Sequence, residues 1–116
     1  MKYLVLAYGD ERDWKALSQS ERDTLLAQDD VLRRRGSLVA AVENAVTTVR
    51  SWDGTPTTTG EPIAKLLSPL AGFGIIEADD LSEAIALVAQ TPCARAKGAV
   101  EIRPILQMNS DATVVD

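Results

Sequence analysis

The run KYLVLAY at residues 2–8 constrains the fold most, because it is apolar on both of the faces that a strand presents. Its tyrosines and valine favour a strand, and Gly9-Asp10 is typical of a turn that ends one. Side chains alternate along a strand, so the apolar residues divide into two sets: Leu4, Leu6 and Tyr8, and Tyr3, Val5 and Ala7. Such a strand needs cover on both sides. Since one layer of helices covers only one face of a small sheet, we expect something else to cover the second.

Two segments carry the spacing and the end signals of helices. In residues 17–38, Ser18 is followed three residues later by Glu21, which is a capping-box pattern. An apolar stripe follows at helical spacing, and Asp29 interrupts it. The second helix is predicted to begin at Asp80 and to stop at Pro92.

Strand patterns fill residues 37–52, with a break near Glu43, and recur at residues 70–80 and 99–108. Asp53-Gly54 predicts a tight hairpin turn, because both residues tolerate positive φ. Pro56 and Pro104 indicate strands at sheet edges. The order of elements predicts an α+β fold, namely a ferredoxin-like antiparallel sheet with two helices on one face plus an inserted hairpin. The second apolar face then predicts a homodimer that pairs through its sheet faces.

Composition bounds the class of protein. The chain has 116 residues and a net charge of −5, which is typical of one globular domain and disfavours direct nucleic-acid or membrane binding. It has no histidine and one cysteine, Cys93, so we expect no metal site, no cofactor and no intramolecular disulfide. The short N-terminal apolar run and the single cysteine favour a cytoplasmic protein. We expect one domain at residues 1–106 and a loose tail at 107–116.

Four stretches, taken in order, resemble the YCII-related family in its DGPF-type branch: MKYLVLAYGDERDW, TTVRSWDG, LAGFGIIEADDLSEAIALVAQTP and VEIRPI. Together they span nearly the whole chain, from Met1 to about Ile105. The resemblance implies a ferredoxin-like fold that pairs as a dimeric α+β barrel, in agreement with the count of apolar faces above.

The chain departs from this branch at two places. The branch carries Asp-Gly-Pro-Phe after the hairpin, where this sequence has Gly60-Glu61-Pro62-Ile63 and keeps only the proline. Some YCII-like proteins also carry a histidine on the first helix, paired with an aspartate as a suggested catalytic dyad. The equivalent position here falls near Leu25, so no histidine performs that role, and we predict no catalytic residue.

Five residues are candidates for binding a small ligand. Asp10 follows the first strand beside Tyr8 and is placed to point into a cleft, although a solvated turn residue is the commoner alternative. Strand alternation puts Arg50 and Trp52 on one face, where the guanidinium suits a carboxylate ligand. The alternatives are an internal or interfacial salt bridge from Arg50 to Glu43 or Glu77, or an outward side chain that extends over the sheet. Glu61 is the sole acid of the altered motif.

Cys93 follows Pro92 at a predicted helix end, with no base beside it. A cysteine nucleophile needs a base or a positive helix N-terminus. We therefore expect an inert thiol.

Two hypotheses for function remain. The first is a non-catalytic homodimer that binds a small ligand or serves as an accessory protein. The resemblance adds a transcription-related partner, because DGPF-type members are often linked with extracytoplasmic-function sigma factors. The second is a small dimeric α+β barrel enzyme that acts on an organic acid or a lactone-like substrate through carboxylate and arginine groups. The missing histidine and the altered motif favour the first.

Overall fold

The computed structural model describes residues 1–108, in which strands and short helices alternate. The helices are α1 (Glu11–Lys15), α2 (Gln19–Arg35), α3 (Leu81–Val88) and α4 (Pro92–Arg95). The strands are β1 (Lys2–Tyr8), β2 (Gly36–Ala41), β3 (Thr48–Arg50), β4 (Thr57–Thr59), β5 (Leu70–Glu77) and β6 (Ala99–Pro104).

Four strands form one antiparallel sheet in the order β2-β5-β1-β6. At its centre Val5 lies opposite Gly74 of β5 on one side and Ile102 of β6 on the other. The last strand, β6, is an edge strand that ends at Pro104, as the sequence predicts. This strand order and the intervening helices confirm the α+β, ferredoxin-like fold.

The core lies between the helices and one face of this sheet. Tyr3 and Ile76 face each other across β1 and β5 and are almost fully buried, at 2% and 0% exposed. Leu32 of α2 and Val88 of α3 pack into the same cluster. Because burying a large apolar side chain is worth about 1.5–3 kcal/mol, this layer holds the helices on the sheet.

The predicted start signals of the two long helices are confirmed. The Glu21 N–H donates to Ser18 Oγ at 3.1 Å, and the Ser18 N–H donates to Glu21 Oε1 at 3.0 Å, which is a complete capping box. The side chain of Asp80 accepts from the Glu83 N–H at 2.9 Å and begins α3. No helix among residues 1–108 combines the length and the apolarity that crossing a bilayer requires.

Residues 1–108 contain two short helices, α1 and α4, that the sequence did not predict. Asp10 caps α1, a five-residue helix with no buried residue. Pro92 does not only follow α3 but opens α4 near its N-terminus, where a missing N–H costs nothing. Cys93 therefore lies in the first turn of α4 and not at the C-terminal end of a helix.

The second face of the sheet carries apolar side chains that are not in the core. Leu4 and Leu6 of β1 lie opposite Ile75 and Phe73 of β5, and all four are only partly buried. Leu38 of β2 borders them and is 46% exposed. We call these five side chains the open sheet face. The two-faced pattern of the first strand is thus confirmed.

The chain between β2 and β5 leaves the sheet as an arm, which we define as residues 43–69. The Val42 N–H donates to the Ala71 carbonyl at 2.9 Å and holds its two ends together. Within it, β3 and β4 pair as a separate two-stranded sheet. The hairpin is confirmed, but its loop is longer than the predicted two-residue turn. Of the two predicted turn residues, Asp53 and Gly54, only Gly54 has positive φ, at 90°, and its N–H donates to the Ser51 carbonyl.

The predicted boundary between the domain and its tail lies close to the end of β6. That strand ends at Pro104, and the proposed tail begins at residue 107. Residues 109–116 of the predicted tail lie outside the described residues, so the boundary at 106 stays a prediction.

Candidate functional site

A cavity of about 170 Å³ lies between the sheet and the helices α2 and α4; we call it the inner cavity. Most of its wall is aliphatic, as small-ligand sites are mostly apolar in general. Its polar lining comes from four side chains. The apolar lining includes Val5, Leu32, Val39, Val88 and Val100, and the polar lining is Asp29, Arg33, Thr91 and Cys93.

Asp29 lines this cavity together with a second charged residue, Arg33. It lies on α2 with its side chain 23% exposed, and its Oδ2 is 3.3 Å from Nη2 of Arg33 one turn later. Burial raises the pKa of the Asp29 carboxyl above its ordinary value, Arg33 works against this rise, and Asp30 adds to it. A carboxyl of this kind accepts a hydrogen bond from a ligand, and its raised pKa makes it a candidate for acid–base chemistry.

Thr91 and Cys93 form the polar side of the cavity near α4. Thr91 is 5% exposed, and its hydroxyl donates to the Val88 carbonyl at 2.6 Å. Burial, and next the charge of Asp29, raise the pKa of the Cys93 thiol. The thiol therefore stays protonated at neutral pH and is a poor nucleophile. A side chain on Gly9 would meet Cys93 Sγ, since its Cβ would lie only 2.9 Å away.

An open cleft of about 690 Å³ adjoins the inner cavity; we call it the outer cleft. Ala71, Pro92 and Cys93 line both spaces, so the two meet at α4. The outer cleft has a mixed polar and apolar lining and bears acidic groups at its rim. Its further lining includes Gly9, Asp10, Glu11, Arg12, Trp14, Val42, Glu43, Asn44 and Pro69.

Asp10 lines this cleft but is already engaged. Its carboxylate accepts from Nε and Nη2 of Arg12 at 3.2 and 2.9 Å, and from the Arg12 backbone N–H at 2.8 Å. These hydrogen bonds, the side-chain bond first, hold the pKa of Asp10 below its ordinary value. Asp10 therefore caps α1 and fixes Arg12 at the rim of the cleft.

The other four predicted ligand-binding residues lie elsewhere in the chain. Tyr8 is on the sheet face opposite the core, where its hydroxyl donates to Glu101 Oε1 at 3.1 Å. Arg50, Trp52 and Glu61 lie on the arm, and none of them lines the inner cavity or the outer cleft of its own chain. The fold does not bring the five together, and their role in binding stays a prediction.

The alternative partners of Arg50 are not engaged with it. Glu77 instead lies near the N-terminal amine and Lys2 Nζ, at 3.7 and 3.9 Å. Within residues 1–108, neither Arg50 nor Glu43 forms an ion pair. The Thr57 hydroxyl donates to the Arg50 backbone carbonyl at 3.3 Å, a contact that does not involve the guanidinium.

Asp29 and Thr91 are site residues that the sequence did not single out as such. The one signal for Asp29 was its place within the apolar line of a helix. Thr91 has no comparable signal. In the part of the chain that is described, no group of three or more His, Cys, Asp or Glu side chains is placed to hold a metal ion.

A model of the YCII-related domain matches residues 1–109. The chain therefore belongs to the YCII-related family. Among solved structures, this YCII-related chain is similar to 5-chloro-2-hydroxyhydroquinone dehydrochlorinase (TftG) from Burkholderia phenoliruptrix AC1100, in complex with 2,5-dihydroxybenzoquinone. The TM-score is 0.56 at 15% identity, over 90% of this chain and 93% of TftG. At that identity the likeness shows the fold alone. A search of curated proteins found no match.

Proposed function

We propose that this YCII-related protein is a homodimer that binds a small ring compound in the inner cavity, with a hydroxyl group of the ligand directed towards Asp29. The observation that carries the proposal is a partly buried carboxyl, paired with Arg33, that lines a mostly apolar cavity. Small-ligand sites combine an apolar wall with a few convergent polar groups in this way.

The size of the cavity sets the size of the ligand. An apolar protein cavity of about 150 Å³ is known to hold a benzene ring. The inner cavity, at about 170 Å³, is therefore matched to one six-membered ring. TftG, whose fold is similar, is described with 2,5-dihydroxybenzoquinone bound, which supports a single oxygenated ring as the ligand class.

The open sheet face supports the homodimer. Leu6 and Phe73 lie at the middle of the two central strands and are only partly buried in the single chain. A second copy of the same face would remove this apolar area from water, which is the usual driving force for association. Pairing as a dimeric α+β barrel follows from that contact. A transcription-related partner also stays a prediction from the sequence.

Calorimetric titration with hydroquinone and 4-hydroxybenzoate tests the ligand site. We expect saturable binding to the wild type and at least about tenfold weaker binding to Asp29→Asn, since a hydrogen bond to a charged group contributes about 1.5–3 kcal/mol. Asp30→Asn is the matched control, because Asp30 is the next residue of α2 and its side chain is 62% exposed. Equal binding to the wild type and Asp29→Asn would exclude the proposed site.

A second candidate function is catalysis at the same site. The raised pKa of the Asp29 carboxyl favours it, because a general acid or base works best when its pKa approaches neutrality. The substrate would be a small organic acid, a lactone or a substituted hydroquinone. Turnover of 5-chloro-2-hydroxyhydroquinone or a lactone, followed by chromatography and lost in Asp29→Asn, tests it. A wild type that binds these compounds without converting them would support binding alone.

A further inference from the structure

We propose that the arm of each copy enters the outer cleft of the other copy, so that Trp52 and Arg50 close the partner's site. This inference rests on the homodimer of the proposed function. Each ligand site is then completed by a second chain, and the mouth of the site, at the outer cleft, binds the acidic end of the ligand.

The arm needs a surface that its own chain does not provide. Every residue from 51 to 67 is exposed, and several of them are large and apolar. A two-stranded hairpin is marginally stable in water without further packing. Large apolar patches on a protein surface usually mark an interaction site. The exposed fractions are 60% for Val49, 91% for Trp52, 80% for Ile63 and 54% for Leu66, and Leu67 is fully exposed.

Arg50 near the tip of the arm and Glu43 at its base, on the wall of the outer cleft, carry opposite charges. Arg50 has no ion-pair partner among residues 1–108, and neither has Glu43 on the wall of the outer cleft. The other charged groups of the cleft are already paired. Asp10 binds Arg12 at 2.9 Å, and Glu11 lies 3.2 Å from Lys15. An arginine entering the cleft therefore finds Glu43 available.

The position of the arm allows a reciprocal exchange. Val42, Glu43, Asn44 and Pro69 line the outer cleft and also flank or belong to the two ends of the arm. The arm thus begins and ends at the rim of the cleft, whereas Arg50 and Trp52 near its tip do not line the cleft of their own chain. In a two-fold symmetric dimer each contact occurs twice, so each copy places its arm in the outer cleft of the other copy.

The exchange defines the ligand more closely. The outer cleft meets the inner cavity at Cys93, so a group at the cleft contacts the outer end of a ring held beside Asp29. The indole of Trp52 supplies an apolar cover. The guanidinium of Arg50 binds a carboxylate in two parallel hydrogen bonds, and it donates to the single oxygen of a phenolate. The favoured ligand is a ring compound with an ionised group opposite the group that meets Asp29.

Disulfide trapping between two different chains tests the exchange without any ligand. Because Cys93 is the single cysteine, the wild type offers one thiol, at the cleft. The double variant Trp52→Cys/Cys93→Ser offers one thiol, on the arm. The two proteins are mixed, allowed to exchange subunits and oxidised with copper phenanthroline. A disulfide then requires two Cα atoms within about 7 Å in different chains.

We expect a reducible cross-link between the double variant and the wild type. The matched control Ser82→Cys/Cys93→Ser places an exposed thiol on α3 instead and should give none. A cross-link of the double variant with itself would show that the arms meet each other and would overturn the inference. A dimer by light scattering without the mixed cross-link would overturn the exchange and leave the homodimer standing. A monomer would overturn both.

Fluorescence gives a second readout that does not depend on the reactivity of Cys93. The chain has two tryptophans, and Trp14→Phe leaves Trp52 as the only one. We expect the emission to be blue-shifted in the dimer and to move to that of a solvated indole on dilution. Solvated-indole emission at a concentration where the protein is dimeric would contradict the exchange.

Discussion

Replacing Trp52 by alanine removes the largest exposed apolar side chain of the arm. In the single chain this side chain is 91% exposed, so its removal costs the isolated fold little. In the dimer with exchanged arms it is covered by the partner. The substitution should therefore weaken association and leave the unfolding of the monomer almost unchanged.

The magnitude follows from the area that association covers. A tryptophan side chain buries about 200 Å², and at about 25 cal/mol per Å² full burial contributes about 5 kcal/mol. Partial cover and the ordering of a mobile side chain reduce this to about 2 kcal/mol per arm. A symmetric dimer has two arms, so the loss is about 4 kcal/mol, or about a thousandfold in the dissociation constant.

Sedimentation equilibrium over a dilution series measures that constant for the wild type and Trp52→Ala. Leu81→Ala is the control, because Leu81 is 49% exposed on α3, away from the arm, and its removal should not alter association. A dissociation constant for Trp52→Ala within about threefold of the wild type, a difference below about 1 kcal/mol, would refute the burial of Trp52 in the dimer.

Three further substitutions test the fold and the site by urea unfolding. Burial raises the pKa of Asp29 above its ordinary value of 3.8, so the folded state binds this proton more tightly than the unfolded chain. The contribution of Asp29 to the free energy of unfolding is greatest below pH 3.8 and is lost as the pH rises through the raised pKa. Asp29→Asn should lack this loss, so parallel pH profiles of the wild type and Asp29→Asn would contradict the prediction. Gly98→Ala places a Cβ against the Tyr8 carbonyl oxygen and should destabilise by about 1–3 kcal/mol, whereas an unchanged midpoint would show that the backbone yields freely. Asp80→Ala removes the cap of α3 and should cost about 1 kcal/mol; a loss below about 0.3 kcal/mol would mean that the cap contributes little.

The fold could be predicted from the sequence where local patterns and packing agree. The two apolar faces of residues 2–8 identified a central strand, and Ser18 with Glu21 fixed the start of α2. The short helices α1 and α4 were missed because five and four residues are too few for a helical period. Pro92 was ambiguous because a proline both follows one helix and opens another.

The candidate site was harder to predict because it depends on contacts between distant segments. The helical period places Asp29 among apolar residues, but the cavity around it requires α4, more than 60 residues later, to pack beside α2. Tyr8 and Asp10 are close in sequence, yet the end of the strand directs Tyr8 to Glu101 and Asp10 to Arg12. Neighbouring polar residues at a strand end therefore do not define one site.

A methyl NMR titration with hydroquinone tests the ligand site most directly. We expect saturable shifts at methyl groups that line the inner cavity, namely those of Leu32, Val88 and Val100, and much weaker binding to Asp29→Asn. The methyls of Leu81 and Ile85 on the exposed side of α3 should not shift. Saturable shifts confined to residues outside the cavity, or no shifts at millimolar hydroquinone, would contradict the account.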